Sequence, residues 1–187
     1  MHRDPLRKLL DAYREHHPDE TDCVDRIRGL VDGHANCFER SCLPGHITAS
    51  SWIVSHDHSQ VLLTHHRKLG LWLQLGGHAD GETKVLDVAL REAREESGMQ
   101  NFRVVKSNAS ELPFDVDVHE IPPHKNDPAH EHHDIRYLLV AEPGQPLVMS
   151  SESNDLRWFP VEEIPSIAAD ESIVRMHRKA RALLTQS

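Results

Sequence analysis

Gly76-Gly77-His78-Ala79-Asp80-Gly81-Glu82-Thr83-Lys84-Val85-Leu86-Asp87-Val88-Ala89-Leu90-Arg91-Glu92-Ala93-Arg94-Glu95-Glu96-Ser97-Gly98-Met99 is the stretch that decides how this chain is read. A glycine-rich turn runs directly into a helix expected over residues 83–97. Glu92, Glu95 and Glu96 lie three and four residues apart and share one helical face. Three carboxylates on one face repel each other unless a cation lies between them. Hard divalent ions take oxygen ligands and bridge carboxylates to phosphate oxygens. The stretch therefore reads as a metal site for a phosphate-bearing substrate. Val85, Leu86, Ala89, Leu90 and Ala93 give the helix an apolar face opposite the glutamates, and Gly98 is placed to end it in a left-handed conformation.

Outward from this segment, the pattern on both sides is strand-like. Residues 47–54 and 60–67 read as two strands joined by a polar turn at 55–59, and 71–75 as a third that ends at Gly76-Gly77. Further strands are expected at 102–107, 112–119, 135–141 and 156–159, with residues 124–133 as a polar, proline-containing connection. A turn of helix is expected at 161–164 and a closing helix at 172–184. Residues 3–42 look helical, with Leu6, Leu9, Leu10 and Tyr13 at helical spacing up to Pro18, and a second helix at 21–31. Strands around one long helix, with helices at both ends, make this an α/β or α+β layered domain. The expected organisation is an N-terminal helical extension at 1–44, a main domain at 45–170 and a C-terminal helix at 171–187 packed on it.

Composition narrows the function class. At 187 residues, 38% apolar and 27% charged, the chain suits a globular domain with room for an extension. A formal net charge of −9 argues against nonspecific nucleic-acid binding. No apolar run approaches the ~20 residues that span a membrane, and residues 1–5 lack a signal-peptide pattern, so a cytoplasmic location is expected. Cys23, Cys37 and Cys42 form no CxxC pair, and no disulfide framework is expected. His34, Cys37, Cys42 and His46 could form a zinc site, but small buried residues at a helix end account for them better. Sixteen histidines are many for this length. Those at 119, 124, 130, 132 and 133 gather around one connection. On a strand His130 and His132 would share a face, and with His119 and Asp134 they could line a cleft or hold an extra ion.

Arg91-Glu92-Ala93-Arg94-Glu95-Glu96-Ser97-Gly98-Met99, counted from Gly77, resembles the second half of the Nudix box, G-x5-E-x7-R-E-U-x-E-E-x-G-U. The preceding residues 71–78 resemble the strand that leads into the box, and Asp155-Leu156-Arg157-Trp158-Phe159-Pro160 resembles the late strand of that fold. The resemblance covers residues 46–165 and leaves the N-terminal helices unexplained. It departs from the pattern at Thr83, where a glutamate is expected; Glu82 stands one place earlier, which puts a Glu82–Arg91 contact in doubt. The resemblance implies the Nudix α/β/α sandwich with a mixed sheet. It implies hydrolysis of a pyrophosphate bond in a nucleoside diphosphate linked to another moiety, or a related organic pyrophosphate, with Mg2+ or Mn2+. Glu92, Glu95 and Glu96 become the expected metal ligands, completed by the Gly76 or Gly77 carbonyl. Arg91 becomes the residue that orients the glutamates through an ion pair.

Activation of a water needs a base, for which Glu95, Glu96 and, in the loop before the late strand, Glu152 are candidates. Candidate substrate contacts are Arg67, Trp72, His78, His132 and Tyr137; Trp52, Trp72 and Tyr137 could stack on a base, although aromatics on strands are more often core. The expected partner is a small nucleotide or pyrophosphate, with no membrane and no nucleic acid, and a homodimer is left open. Two other readings compete. A non-catalytic nucleotide-sensing Nudix domain is disfavoured by the retained glutamates. An isopentenyl-diphosphate isomerase-like enzyme would need a cysteine beside Gly77-His78; Gly76 stands there, and no cysteine follows Cys42.

Overall fold

The structure, a computed structural model, describes residues 2–106, 111–123, 128–151, 153–168 and 170–185. Two helices come first, α1 (Asp4–His16) and α2 (Thr21–Gly33). Strands β1 (Gly45–Val54), β2 (Gln60–His66), β3 (Trp72–Leu73) and β4 (Leu75–His78) lead to helix α3 (Val85–Ser97). Strands β5 (Phe102–Val104), β6 (Asp115–Ile121), β7 (His130–Ala141) and β8 (Ser153–Pro160) follow, and then helices α4 (Ile164–Ile167) and α5 (Glu171–Leu184).

β1 organises the sheet. It lies parallel to β7 over its whole length, from Gly45 opposite Glu131 to Val54 opposite Val140. Its other edge is shared: Thr48 to Ser51 pair with β4, and Ile53 and Val54 with β2, both antiparallel. β2 also pairs with β3 and β8, and β7 with β5 and β6, so the sheet is mixed. All ten positions of β1 are buried, as expected of a central strand covered on both faces. One face carries Ile47, Ala49 and Ile53 against Leu10 of α1, Ile27 of α2 and Val88, Ala89 and Ala93 of α3. The other carries Trp52 and Val54, with Leu63 and Leu138, against Ile173, Met176 and Ala180 of α5. This is an α/β/α sandwich, and the N-terminal helices join its core: Leu6, Leu10, Tyr13, Val24 and Ile27 are each at most 1% exposed.

Several boundaries differ from those expected. Residues 34–44 are turns, not helix: α2 ends at Gly33, where helix propensity falls, and Ile47 N–H bonds to Cys37 O to lead the chain into β1. The strand expected at 71–75 is two short pieces, β3 and β4, on different partners. α3 begins at Val85, not Thr83, because Glu82 folds back to accept Lys84 N–H at 2.9 Å. The polar connection expected up to residue 133 stops earlier. β7 starts at His130, held by pairing to β1 on one side and β6 on the other in spite of its polar sequence. Gly98 does end α3 at φ +75°. Among the described residues no helix is long and apolar enough to cross a membrane.

Candidate active site

β4 and α3 bring the glycines and glutamates of the opening segment together. A Cβ on Gly77 would lie 2.5 Å from Glu92 Cδ and 2.6–2.7 Å from its two oxygens. Only glycine lets this strand approach the carboxylate so closely. Gly76 N–H donates to Glu96 Oε2 at 2.9 Å. Arg91 Nη2 donates to Glu92 Oε1 at 2.6 Å and to the His78 carbonyl at 2.7 Å. The arginine thus ties the helix face to the end of β4. Glu92 is 16% exposed at its side chain, while Glu95 is exposed. The carboxylates are spread along one helix edge, with Glu92 drawn toward Arg91 and Glu96 toward the glycine turn. Glu82 points to the Lys84 amide, which lowers its pKa; Arg91 acts on it only weakly, from a distance. An oxygen-only donor set on a glycine platform fits a hard divalent ion.

On the opposite face of the sheet, imidazoles from four strands converge. The ring of His46 on β1 lies 5.0 Å from His78 on β4, 4.9 Å from His130 and 4.9 Å from His132 on β7. His78 and His132 are 4.9 Å apart, and His119 on β6 is 5.4 Å from His132. Pairing explains the convergence, since His46 and His119 are both register partners of His132. Burial pushes the pKa of His46 and His78 down to about 4 and that of His132 to about 2, with the neighbouring imidazoles adding to it. The rings of His46, His78 and His132 are therefore neutral at pH 7. Next to the histidines the same face continues as an ion network. Arg136, 2% exposed, reaches Asp134, Asp115 and Asp117 at 2.8–3.0 Å, and Arg175 of α5 reaches Asp115 and Asp117 at 2.9 Å.

The other sequence candidates are scattered. Arg67 is exposed in the turn after β2. Trp72 packs edge-on to Phe159 at 4.7 Å with the Arg157 guanidinium 4.6 Å over its ring. Tyr137 is 1% exposed in the core beneath the sheet, with no open face for a base, and burial pushes its hydroxyl pKa up. Glu152, the loop candidate for the base, lies outside the described residues, as does His124. Cys37 and Cys42 are core residues, at most 1% exposed, and burial pushes Cys37 up to about 11, so both are protonated thiols rather than ligands. The His46 ring groups with those of His130 and His132 instead. His46 is the residue that sequence reasoning misplaced. Two of its neighbours, His130 and His132, come from β7 and the third, His78, from β4, and only the β1–β7 and β1–β4 pairings, which no local pattern encodes, reveal them. A cavity of 320 Å³ between Asp57, Glu142 and Gln145 contains none of the box carboxylates or clustered histidines.

Comparison with known proteins converges on the same segment. The model of the NUDIX domain family matches residues 45–180. Among solved structures, a NUDIX-family hydrolase from Clostridium perfringens is 25% identical with a TM-score of 0.60, covering 76% of this chain and 98% of that one. A C. elegans Ap4A hydrolase is 16% identical with a TM-score of 0.59, over 75% of this chain and 98% of that one. An E. coli dihydroneopterin triphosphate pyrophosphohydrolase is 14% identical with a TM-score of 0.55, over 73% and 91%. No curated protein matches by sequence.

Proposed function

Because the chain belongs to the Nudix family, we propose that it is a divalent-metal-dependent pyrophosphohydrolase acting on a nucleoside diphosphate linked to another moiety, or on a related organic pyrophosphate. The observation that carries the reading is the approach of Gly76 and Gly77 to the carboxylates of Glu96 and Glu92. A glycine turn held this close to an acidic helix face leaves a surface of oxygen donors with no side chain between them. Ap4A and dihydroneopterin triphosphate, the substrates of the C. elegans and E. coli hydrolases of the same fold, are both phosphoanhydrides; this supports the substrate class and not a particular substrate.

Glu92, Glu95 and Glu96, with the Gly76 carbonyl, would hold Mg2+ or Mn2+. When bound, such an ion neutralises phosphate oxygens and makes a water nucleophilic near neutral pH. The chain's own residues supply position and proton transfer. Arg91 fixes Glu92 and the β4 end through its two short hydrogen bonds. Glu95, the exposed member of the three, is free of a structural duty in the turn and is the candidate base for the water's proton, with Glu96 and Glu152 as the alternatives. Water adds to phosphorus, the anhydride P–O bond breaks, and the proton passes to the carboxylate.

The test is a product-release screen over dinucleoside polyphosphates, nucleotide sugars, ADP-ribose and nucleoside triphosphates with Mg2+ and with Mn2+. Turnover of at least one class, abolished by EDTA, is expected. No turnover of any of them by protein that binds Mn2+ would transfer the fold to a sensing role.

A further inference from the structure

A second metal site stands apart from the glutamates. His46 is 3% exposed, yet neither of its ring nitrogens has a hydrogen-bond partner of good geometry, although the Cys42 backbone lies close enough to favour its charged form slightly. His132 Nε2 is also buried without a partner. An unsatisfied buried polar group costs about 1–3 kcal/mol, and native structures rarely keep one without a reason. Two such imidazoles on neighbouring strands of one sheet face call for a shared ligand.

We propose that His46, His130 and His132 bind a borderline transition-metal ion of the Zn2+ class, with His78 placed to fill a fourth position. Ring nitrogens of the first three residues already lie within 4.8 Å of one another, and no other group of three histidine, cysteine or acidic side chains among the described residues gathers so closely. The donors are imidazole only, which selects Zn2+, Co2+ or Ni2+ over Mg2+. One outer partner is also in place. His130 Nδ1 faces the Pro128 carbonyl at 2.9 Å, which holds that nitrogen as the N–H and leaves Nε2 to ligate. Three ligands with a fourth from a nearby ring match the tetrahedral coordination that zinc prefers. The His78 ring lies beside His46 and His132 while its carbonyl accepts from Arg91, so β4 joins this site to the glutamate helix.

The site is independent of the hydrolase reading, and its test reads metal rather than turnover. Metal-stripped full-length protein is titrated with Co2+ and Zn2+, followed by the d–d absorption of tetrahedral Co2+ and by calorimetry, in the presence of excess Mg2+. One equivalent of Zn2+ is expected that Mg2+ does not displace, with X-ray absorption showing a shell of imidazole nitrogens. Affinity should fall by roughly 100-fold or more in His46→Asn, His130→Asn and His132→Asn, since loss of even an outer partner costs 10–100-fold. It should be unchanged in Glu92→Gln/Glu95→Gln/Glu96→Gln. Should the buried substitutions unfold the protein, the half-exposed His130→Asn decides. Zn2+ affinity equal to the parent in His130→Asn, or Zn2+ lost in the triple glutamate variant instead, would overturn the proposal.

Discussion

At the scale of single residues, Gly77 makes the sharpest claim on function. Its missing Cβ is what allows the Glu92 carboxylate to lie against β4. Gly77→Ala would push that carboxylate aside by an ångström or so while leaving the core untouched. A misplacement of that size costs on the order of 100-fold in rate. Steady-state kinetics should therefore show that loss with an unchanged circular dichroism spectrum; full activity would mean the close approach has no catalytic role. The glycines and the three glutamates were readable from spacing alone, because a helix repeats every few residues. His46 was not, because its partners are set by which strands lie side by side. Glu82 shows the other limit. The displaced glutamate was visible in the sequence, but not that its carboxylate would turn to the Lys84 amide.

At the scale of elements, α3 is defined by its ends as much as by its apolar face. Gly98 closes it at φ +75°, and a Cβ there would lie 2.5 Å from Val148 Cβ. The left-handed conformation costs a non-glycine residue about 1–2 kcal/mol before any clash. Gly98→Ala should therefore lower unfolding stability by at least about that amount in urea denaturation, with the slope unchanged. α3 and its C-terminal stop were legible because periodicity and glycine act locally. β7 was legible only from Ile135 onward. Its first residues, His130 to Asp134, are polar, and they form a strand because β1 and β6 offer hydrogen bonds on both sides, a tertiary cause that propensity does not carry.

At the scale of the whole molecule, the sandwich encloses a charged seam between the sheet and α5. Asp115 is fully buried and is met by Arg136, Arg175 and Lys179 at 2.7–3.0 Å. Burial pushes its pKa up, but the hydrogen bond from Arg175 and the charges of Arg136, Lys179 and Arg175 outweigh it and hold the carboxyl below the ordinary 3.8. The folded form therefore binds this proton less readily than the unfolded chain. Its contribution to stability is complete above about pH 4 and is lost as pH falls through the lowered pKa. Urea midpoints measured down the acid limb should drop below about pH 4. Asp115→Asn removes the one buried carboxylate that Arg136, Arg175 and Lys179 share, while Asp117, Asp134 and Glu20 remain as partners, and should cost about 3 kcal/mol at neutral pH, the low end for breaking a buried ion pair. Neutral-pH stability equal to the parent would contradict the seam's role. The sequence marks α1 and α2 as a helical extension, and in the structure they join the same core. Tyr13 makes the connection concrete, since its hydroxyl donates to Glu20 and accepts from Lys179 of α5.

Chemistry at the acidic face of α3 is tested most directly by the turnover of whichever pyrophosphate the parent protein hydrolyses with Mg2+, compared with the same reaction catalysed by Glu95→Gln/Glu96→Gln. A loss of roughly 100-fold or more is expected in a variant that melts like the parent; hydrolysis at the parent rate would show that these carboxylates do not carry the reaction.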